Sequence, residues 1–128
     1  MRKAGEILTK QNAIAYIRNN YGVAEDYPWD DSDAFVFRHR VSRKWFCLFM
    51  DISASYLGID DNRVITVVNL KAPKSMRDDL LREEGIYPAY HMNKQHWISL
   101  DLRKANEKML EVLIDMSFKA TAMKKDLV

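Results

Sequence analysis

The chain has 128 residues, 48% of them hydrophobic and 30% charged, with 20 Lys and Arg against 18 Asp and Glu; this is the composition of a single globular domain spanning 1–128. A chain of this length buries roughly two-thirds of its unfolded surface without disulfides or metals, and the lone Cys47 excludes both an internal disulfide and a CxxC motif. The longest apolar run, Trp45 to Met50, is far short of the ~20 residues of a membrane span, and the N-terminal Met1 to Glu6 has no apolar signal core, so a cytoplasmic protein is expected.

From Glu6 to Tyr21 the residues Ile7, Ile14, Ile17 and Tyr21 recur near one face, and Gly22 follows as a C-cap; this predicts a first helix. Ala24 to Asp33 carries five acids around Pro28 and reads as a solvated loop. Phe35–Val41, Trp45–Ile52 and Val64–Leu70 are rich in β-branched and aromatic residues and read as strands. Only Ser42, Arg43 and Lys44 separate the first two, which forces an antiparallel hairpin. Phe35, Phe37, His39 and Val41 fall on one side of the first strand, with Val36, Arg38 and Arg40 on the wetter one.

Ser75 and Asp78 are spaced to cap a short helix of about three turns, with Met76, Leu80 and Leu81 inward and Gly85 as its stop. Ile86 to Asn93, around Pro88, is irregular or an edge strand. A last strand runs from His96 to Asp101, with Ile98 and Leu100 opposite Trp97 and Ser99. From Leu102 to Phe118, Leu102, Ala105, Met109, Val112, Leu113 and Met116 form an amphipathic stripe, and the tail from Met123 is expected to fray. The order is not a βα alternation. It predicts an α+β fold, an antiparallel sheet covered on one face by the N- and C-terminal helices, with one short additional helix.

No GxSxG, GxxxxGK, GxGxxG or HExxH motif is present, which weighs against an enzyme. Cys47 lies in an apolar run, where its thiol stays protonated. His39, His91 and His96 lack the spacing of a metal site, and the paired acids Asp30-Asp31, Asp60-Asp61, Asp78-Asp79 and Glu83-Glu84 diverge as adjacent residues do. No metal or cofactor is expected.

The basic residues are better organised. Between Ala34 and Met50 stand Arg38, Arg40, Arg43 and Lys44 with no acid, a hairpin suited either to a phosphate backbone or to edge protection. Lys71, Lys74 and Lys94 are candidates to extend that field. Tyr87 to Trp97 packs five aromatic or imidazole rings into eleven residues; His91, Asn93, His96 and Trp97 either shape a binding site or form a structural knot. An acid–base role for His91 or His96 stays open.

The pieces Tyr27-Pro28-Trp29, Lys44-Trp45-Phe46, Asn69-Leu70-Lys71-Ala72-Pro73, Leu80-Leu81-Arg82, Tyr90 to Trp97 and Ser117-Phe118 resemble the MmcQ/YjbR proteins from Tyr27 to Phe118. The most specific part is the His-x-Asn-Lys-x-His-Trp core at His91 to Trp97, whereas Phe118 stands where the family usually has Tyr. The resemblance implies a CyaY-like α+β fold and a proposed DNA-binding role through a double-wing arrangement, with no catalytic residue. Similarity to frataxin-type proteins would suggest iron only by analogy of fold.

Residues and resemblance together lead to a non-enzymatic, bacterial-type DNA-binding module. Arg38, Arg40, Arg43 and Lys44 would contact phosphates, extended by Lys71, Lys74 and Lys94. The alternative is a small-ligand- or protein-binding module using His91 to Trp97. The oligomeric state is open.

Overall fold

Thr9 opens helix α1 (Lys10–Tyr21): its hydroxyl accepts from the Asn12 N–H at 3.1 Å, and the Asn12 side chain accepts from the Thr9 N–H at 3.3 Å, a reciprocal cap that satisfies two otherwise unpaired donors. Gly22, at φ 65°, closes the helix in the left-handed conformation that glycine adopts without strain. The computed structural model describes residues 8–127; the expected helical residues Glu6 and Ile7 lie outside them. Ala13, Ile14 and Ile17 form the buried stripe.

Five strands follow, β1 (Phe35–Arg38), β2 (Trp45–Ser53), β3 (Val64–Lys71), β4 (Ile86–Pro88) and β5 (Trp97–Asp101), in the fully antiparallel order β1-β2-β3-β5-β4. Helix α1 and helix α3 (Glu107–Thr121) pack on one face over Phe35, Phe37, Phe49, Val68, Leu70, Ile98 and Leu100. The Phe35 and Phe49 rings stack at 4.9 Å, an arrangement that adds to the area they bury. Burial pushes the Cys47 thiol well above its ordinary value, so it acts as a small core residue.

One irregularity shapes this core. Phe37 pairs with Cys47 and Arg38 with Trp45, so Phe46 is an extra residue, a bulge that turns its ring toward the helices. There it meets Tyr21 and Phe118 at 5.5 and 5.1 Å. The ladder between β2 and β3 opens at that point, and Ser117 of α3 fills the gap. Its hydroxyl donates to the Phe46 carbonyl at 2.5 Å and accepts from the Lys71 N–H at 2.8 Å.

Several expected boundaries move. Strand β1 ends at Arg38, because the chain turns through residues 40–42, and Val41 is exposed. The short helix α2 (Lys74–Leu80) is two turns long; it follows Pro73 without a side-chain cap, and Met76 is exposed rather than inward. Gly85 does not stop it: at φ 89° it opens β4, where a Cβ would collide with the Lys104 side chain. Leu102 to Lys104 is a separate 3-10 turn, and Asn106 caps α3 by accepting from the Met109 N–H at 2.8 Å. The helix phase therefore starts afresh at Glu107. Leu110, Leu113, Ile114, Ser117 and Thr121 face inward, and Val112 faces solvent.

The tail is docked rather than frayed. Met123 to Asp126 turns back onto the β1–β2 hairpin, where Asp126 accepts from the Ser42 N–H at 2.8 Å and from the Met123 N–H at 2.9 Å. Among the described residues no helix is long and apolar enough to cross a membrane.

Candidate functional site

Antiparallel pairing brings six cations to one end of the sheet. The C-terminal ends of β1 and β3 and the N-terminal ends of β2 and β5 share one end of the sheet, since Arg38 pairs with Trp45, Cys47 with Leu70 and Lys71 with Trp97. Arg40, Arg43, Lys44, Lys71, Lys74 and Lys94 all lie at that end. Among the described residues none of the six forms an ion pair with a carboxylate. The opposite end carries Asp51, Asp61, Glu84 and Asp101, each paired with a nearby cation.

Arg38 is placed differently from the rest of its hairpin. It pairs with Asp26 at 2.5 Å, donates to the Arg43 carbonyl at 3.1 Å and lies 5.7 Å from the Trp45 ring centre. Asp26 also exchanges both backbone hydrogen bonds with Val36, each 2.9 Å. The acidic loop is thus pinned along the outer edge of β1 instead of standing free. Arg38, Arg40 and Arg43 line a 310 Å³ depression with Gly22 and Asp26, and Arg43 is held at φ 67° by the tight turn.

Beneath this hairpin His39 is buried, not part of the basic surface. The Thr121 hydroxyl donates to the Ser117 carbonyl at 2.8 Å, so it accepts from His39 Nε2–H at 2.8 Å. Nδ1 then carries a lone pair that has no hydrogen-bond partner among the described residues, 3.8 Å from Asp126 Oδ2. Burial pushes the imidazole below its ordinary value despite the pull of Asp126. Burial raises the Asp126 carboxyl, but the hydrogen bonds from Ser42 and Met123 and the nearby His39 outweigh it and leave it well below the usual carboxylate range.

The segment from Ala89 to Trp97 caps the sheet face that the helices leave uncovered, and buried polar groups anchor it. Asn69 Nδ2 donates to the Tyr90 carbonyl at 2.8 Å, Ser99 Oγ accepts from the Tyr90 N–H at 3.0 Å, and Ser99 donates to Asn69 Oδ1 at 2.5 Å. Asn93 organises the turn: its side chain accepts from the Gln95 N–H and its carbonyl from the N–H groups of His96 and Trp97. His91 and His96 are exposed and Trp97 is half-buried beside Lys71. His39 sits in the helix-side core, so the three imidazoles do not gather. Among the described residues no three His, Cys, Asp or Glu side chains converge as metal ligands.

On the same open face a 530 Å³ cleft runs along β2. Leu48, Met50 and Ile52 make its floor, Trp29 and Trp45 one wall, and Tyr90 with His91 the other. Of the four candidates His91, Asn93, His96 and Trp97, His91 alone lines it. Trp29, Trp45 and Met50 escaped sequence reasoning because no short-range pattern joins a loop residue to strand residues at least sixteen positions further on. The docked tail brings the exposed Lys124 and Lys125 beside Ser42, two further cations at the basic end. Their only sequence signal is their charge.

The chain is similar to several known proteins in sequence and in fold. The YjbR family model matches residues 19–120. The uncharacterized Bacillus subtilis protein YyaQ is 36% identical over 117 residues, 90% of this chain and 99% of that one. A crystal structure from Pseudomonas syringae, structural-genomics target PsR293, superposes with a TM-score of 0.86 at 39% identity, covering 89% of this chain and 99% of that one. The Deinococcus radiodurans protein DR2400, with a DUF419 domain, shares the fold with a TM-score of 0.69 at 20% identity, covering 93% and 82% of the two chains.

Proposed function

Because the chain belongs to the YjbR family, for which a double-wing DNA-binding role has been proposed, we propose that it is a non-enzymatic, cytoplasmic DNA-binding module that grips the phosphate backbone with the basic end of its sheet. The observation that supports this reading is the gathering at one end of six cations that have no carboxylate partner among the described residues, while Asp51, Asp61, Glu84 and Asp101 at the other end are each paired. Cations left free in this way exchange condensed counterions for direct phosphate contact, which gives affinity without base specificity. Arg40, Arg43 and Lys44 form the leading edge, Lys71, Lys74 and Lys94 the second rank. Arg38 braces the hairpin through Asp26 instead of reaching outward. His96 lies among the second rank, Asn93 shapes its turn, Trp97 stands beside Lys71 on the neighbouring strand, and His91 faces away toward the cleft.

The test is fluorescence anisotropy of a labelled duplex across a salt series. Saturable binding is expected, with a log–log salt slope of about −0.9 for each phosphate engaged. Replacing Arg40, Arg43 and Lys44 together with Ala should flatten that slope by about 3. An absence of binding at low salt, or an unchanged slope in the triple variant, would overturn the reading.

A further inference from the structure

The cleft on the open face of the sheet has the opposite chemistry to the basic end. We propose that it is a separate binding site for a small planar organic cation, an inference that stands independently of the phosphate reading.

Its volume, 530 Å³, lies within the range of roughly 300–1,000 Å³ that small-molecule pockets occupy. The floor is aliphatic and the walls are rings. Trp29 meets Trp45 edge-on, with centroids 5.5 Å apart and planes at 76°, so the two indoles make a corner. Across from them Tyr90 stacks on Tyr56 at 5.4 Å and 17° and lies 3.9 Å from the His91 ring centre.

This far wall is built in advance. The Tyr90 backbone is tied on both sides to the buried Asn69–Ser99 pair, and His91 is held at φ 61°, a conformation that costs a non-glycine residue energy and persists only where its surroundings enforce it. A preformed wall spares a ligand the cost of ordering it.

Charge selects the ligand. Among the described residues no Lys or Arg lines the cleft, whereas Asp31 and Asp51 both do. Asp51 is already engaged by Lys10 and by Thr66, each at 2.7 Å, which leaves Asp31 as the lining carboxylate without a cationic partner among the described residues. Ring faces attract cations through their quadrupole, as the Arg38 guanidinium beside Trp45 already illustrates. A flat cation satisfies the rings and Asp31 together; a phosphate or a carboxylate satisfies neither.

Three ligands sharing one ring system and differing in charge provide the test: tryptamine, 3-methylindole and indole-3-propionate, titrated into ¹⁵N-labelled protein. The indole N–H signals of Trp29 and Trp45 report on the cleft, and that of Trp97, which lies outside it, is the internal control. Tryptamine is expected to shift the first two saturably, at least about tenfold more tightly than indole-3-propionate. Asp31→Asn should reduce that preference and leave 3-methylindole unchanged, while Trp29→Ala weakens all three. Equal affinity for the three ligands, preference for the anion, shifts at Trp97 alone or no saturation would each overturn the proposal. An unperturbed backbone spectrum of both variants confirms that they fold. Because no DNA is present, failure here is distinct from failure of the phosphate reading.

Discussion

The Asp126 carboxylate accepts a hydrogen bond from the Ser42 backbone N–H at 2.8 Å, joining the C-terminal turn to the tip of the basic hairpin across 84 residues of sequence. The same carboxylate lies 3.8 Å from the buried Nδ1 of His39. One side chain therefore holds the tail, supports the turn that aims Arg40 and Arg43, and faces an imidazole lone pair.

Under the proposed phosphate-binding role, holding the tail there has a consequence. Asp126 positions Lys124 and Lys125 beside the hairpin, so replacing both lysines with Ala should flatten the salt slope of duplex binding by about 2, roughly 0.9 per lysine. Asp126→Ala should give a comparable loss while both lysines remain, because the released tail no longer presents them. Amide exchange at Ser42 in that variant should quicken relative to exchange at Val68 in the core. A slope unchanged in both variants would show that the tail takes no part.

The pH dependence of stability follows from the same pair. The unfolded chain protonates His39 near its ordinary value of 6.5, whereas burial holds the folded imidazole lower. The His39 contribution is thus fully present above pH 6.5 and is lost as pH falls below it. Asp126 adds a second window: its contribution is present above the ordinary carboxyl value of 3.8 and declines as pH falls toward the lower folded value. Urea midpoints should fall between pH 7.5 and pH 5, and His39→Gln should flatten that upper window while leaving the one below pH 4.

Ser117 is the keystone of the bulge. Ser117→Ala leaves the Phe46 carbonyl and the Lys71 N–H without their shared partner in the core, at a cost of roughly 1–3 kcal/mol for each group left unsatisfied. A total loss of about 2–6 kcal/mol in urea unfolding is expected, with the Lys71 amide newly exchangeable. Ser117→Thr, which retains a hydroxyl, should lose less. A loss under about 0.5 kcal/mol, as at an ordinary surface site, would mean that water replaces the hydroxyl without penalty.

Local pattern carried far in this chain. The α+β order, the three-residue hairpin connection, the apolar phase of α1 and the opposite faces of Ile98 and Ser99 all depend on spacing within about ten residues, and spacing is what a sequence displays. The stripe of α3 failed at Val112 because Leu102 and Ala105 belong to a separate turn. Asp101 and Asn106 cap that turn and the helix with their short side chains, an alternative to continuous helix that periodicity alone does not weigh. The bulge at Phe46 escaped notice because one extra residue in an apolar run changes facing without changing composition.

By itself the amino-acid sequence determined the class of fold, the family resemblance and the set of cations and rings available for binding, since each rests on residue type and short-range order. Which of those residues lie together was decided by tertiary structure alone. Chain reversal put Lys71, Lys74 and Lys94 at the same sheet end as Arg40, Arg43 and Lys44, and antiparallel pairing is a long-range choice. Asp26 withdrew Arg38 from the surface, Asp126 brought Lys124 and Lys125 to it, and β2 became the floor between Trp29 and Tyr90. Each of these outcomes depends on contacts between segments far apart in the chain, whose loop-closure cost is met only when the whole core forms.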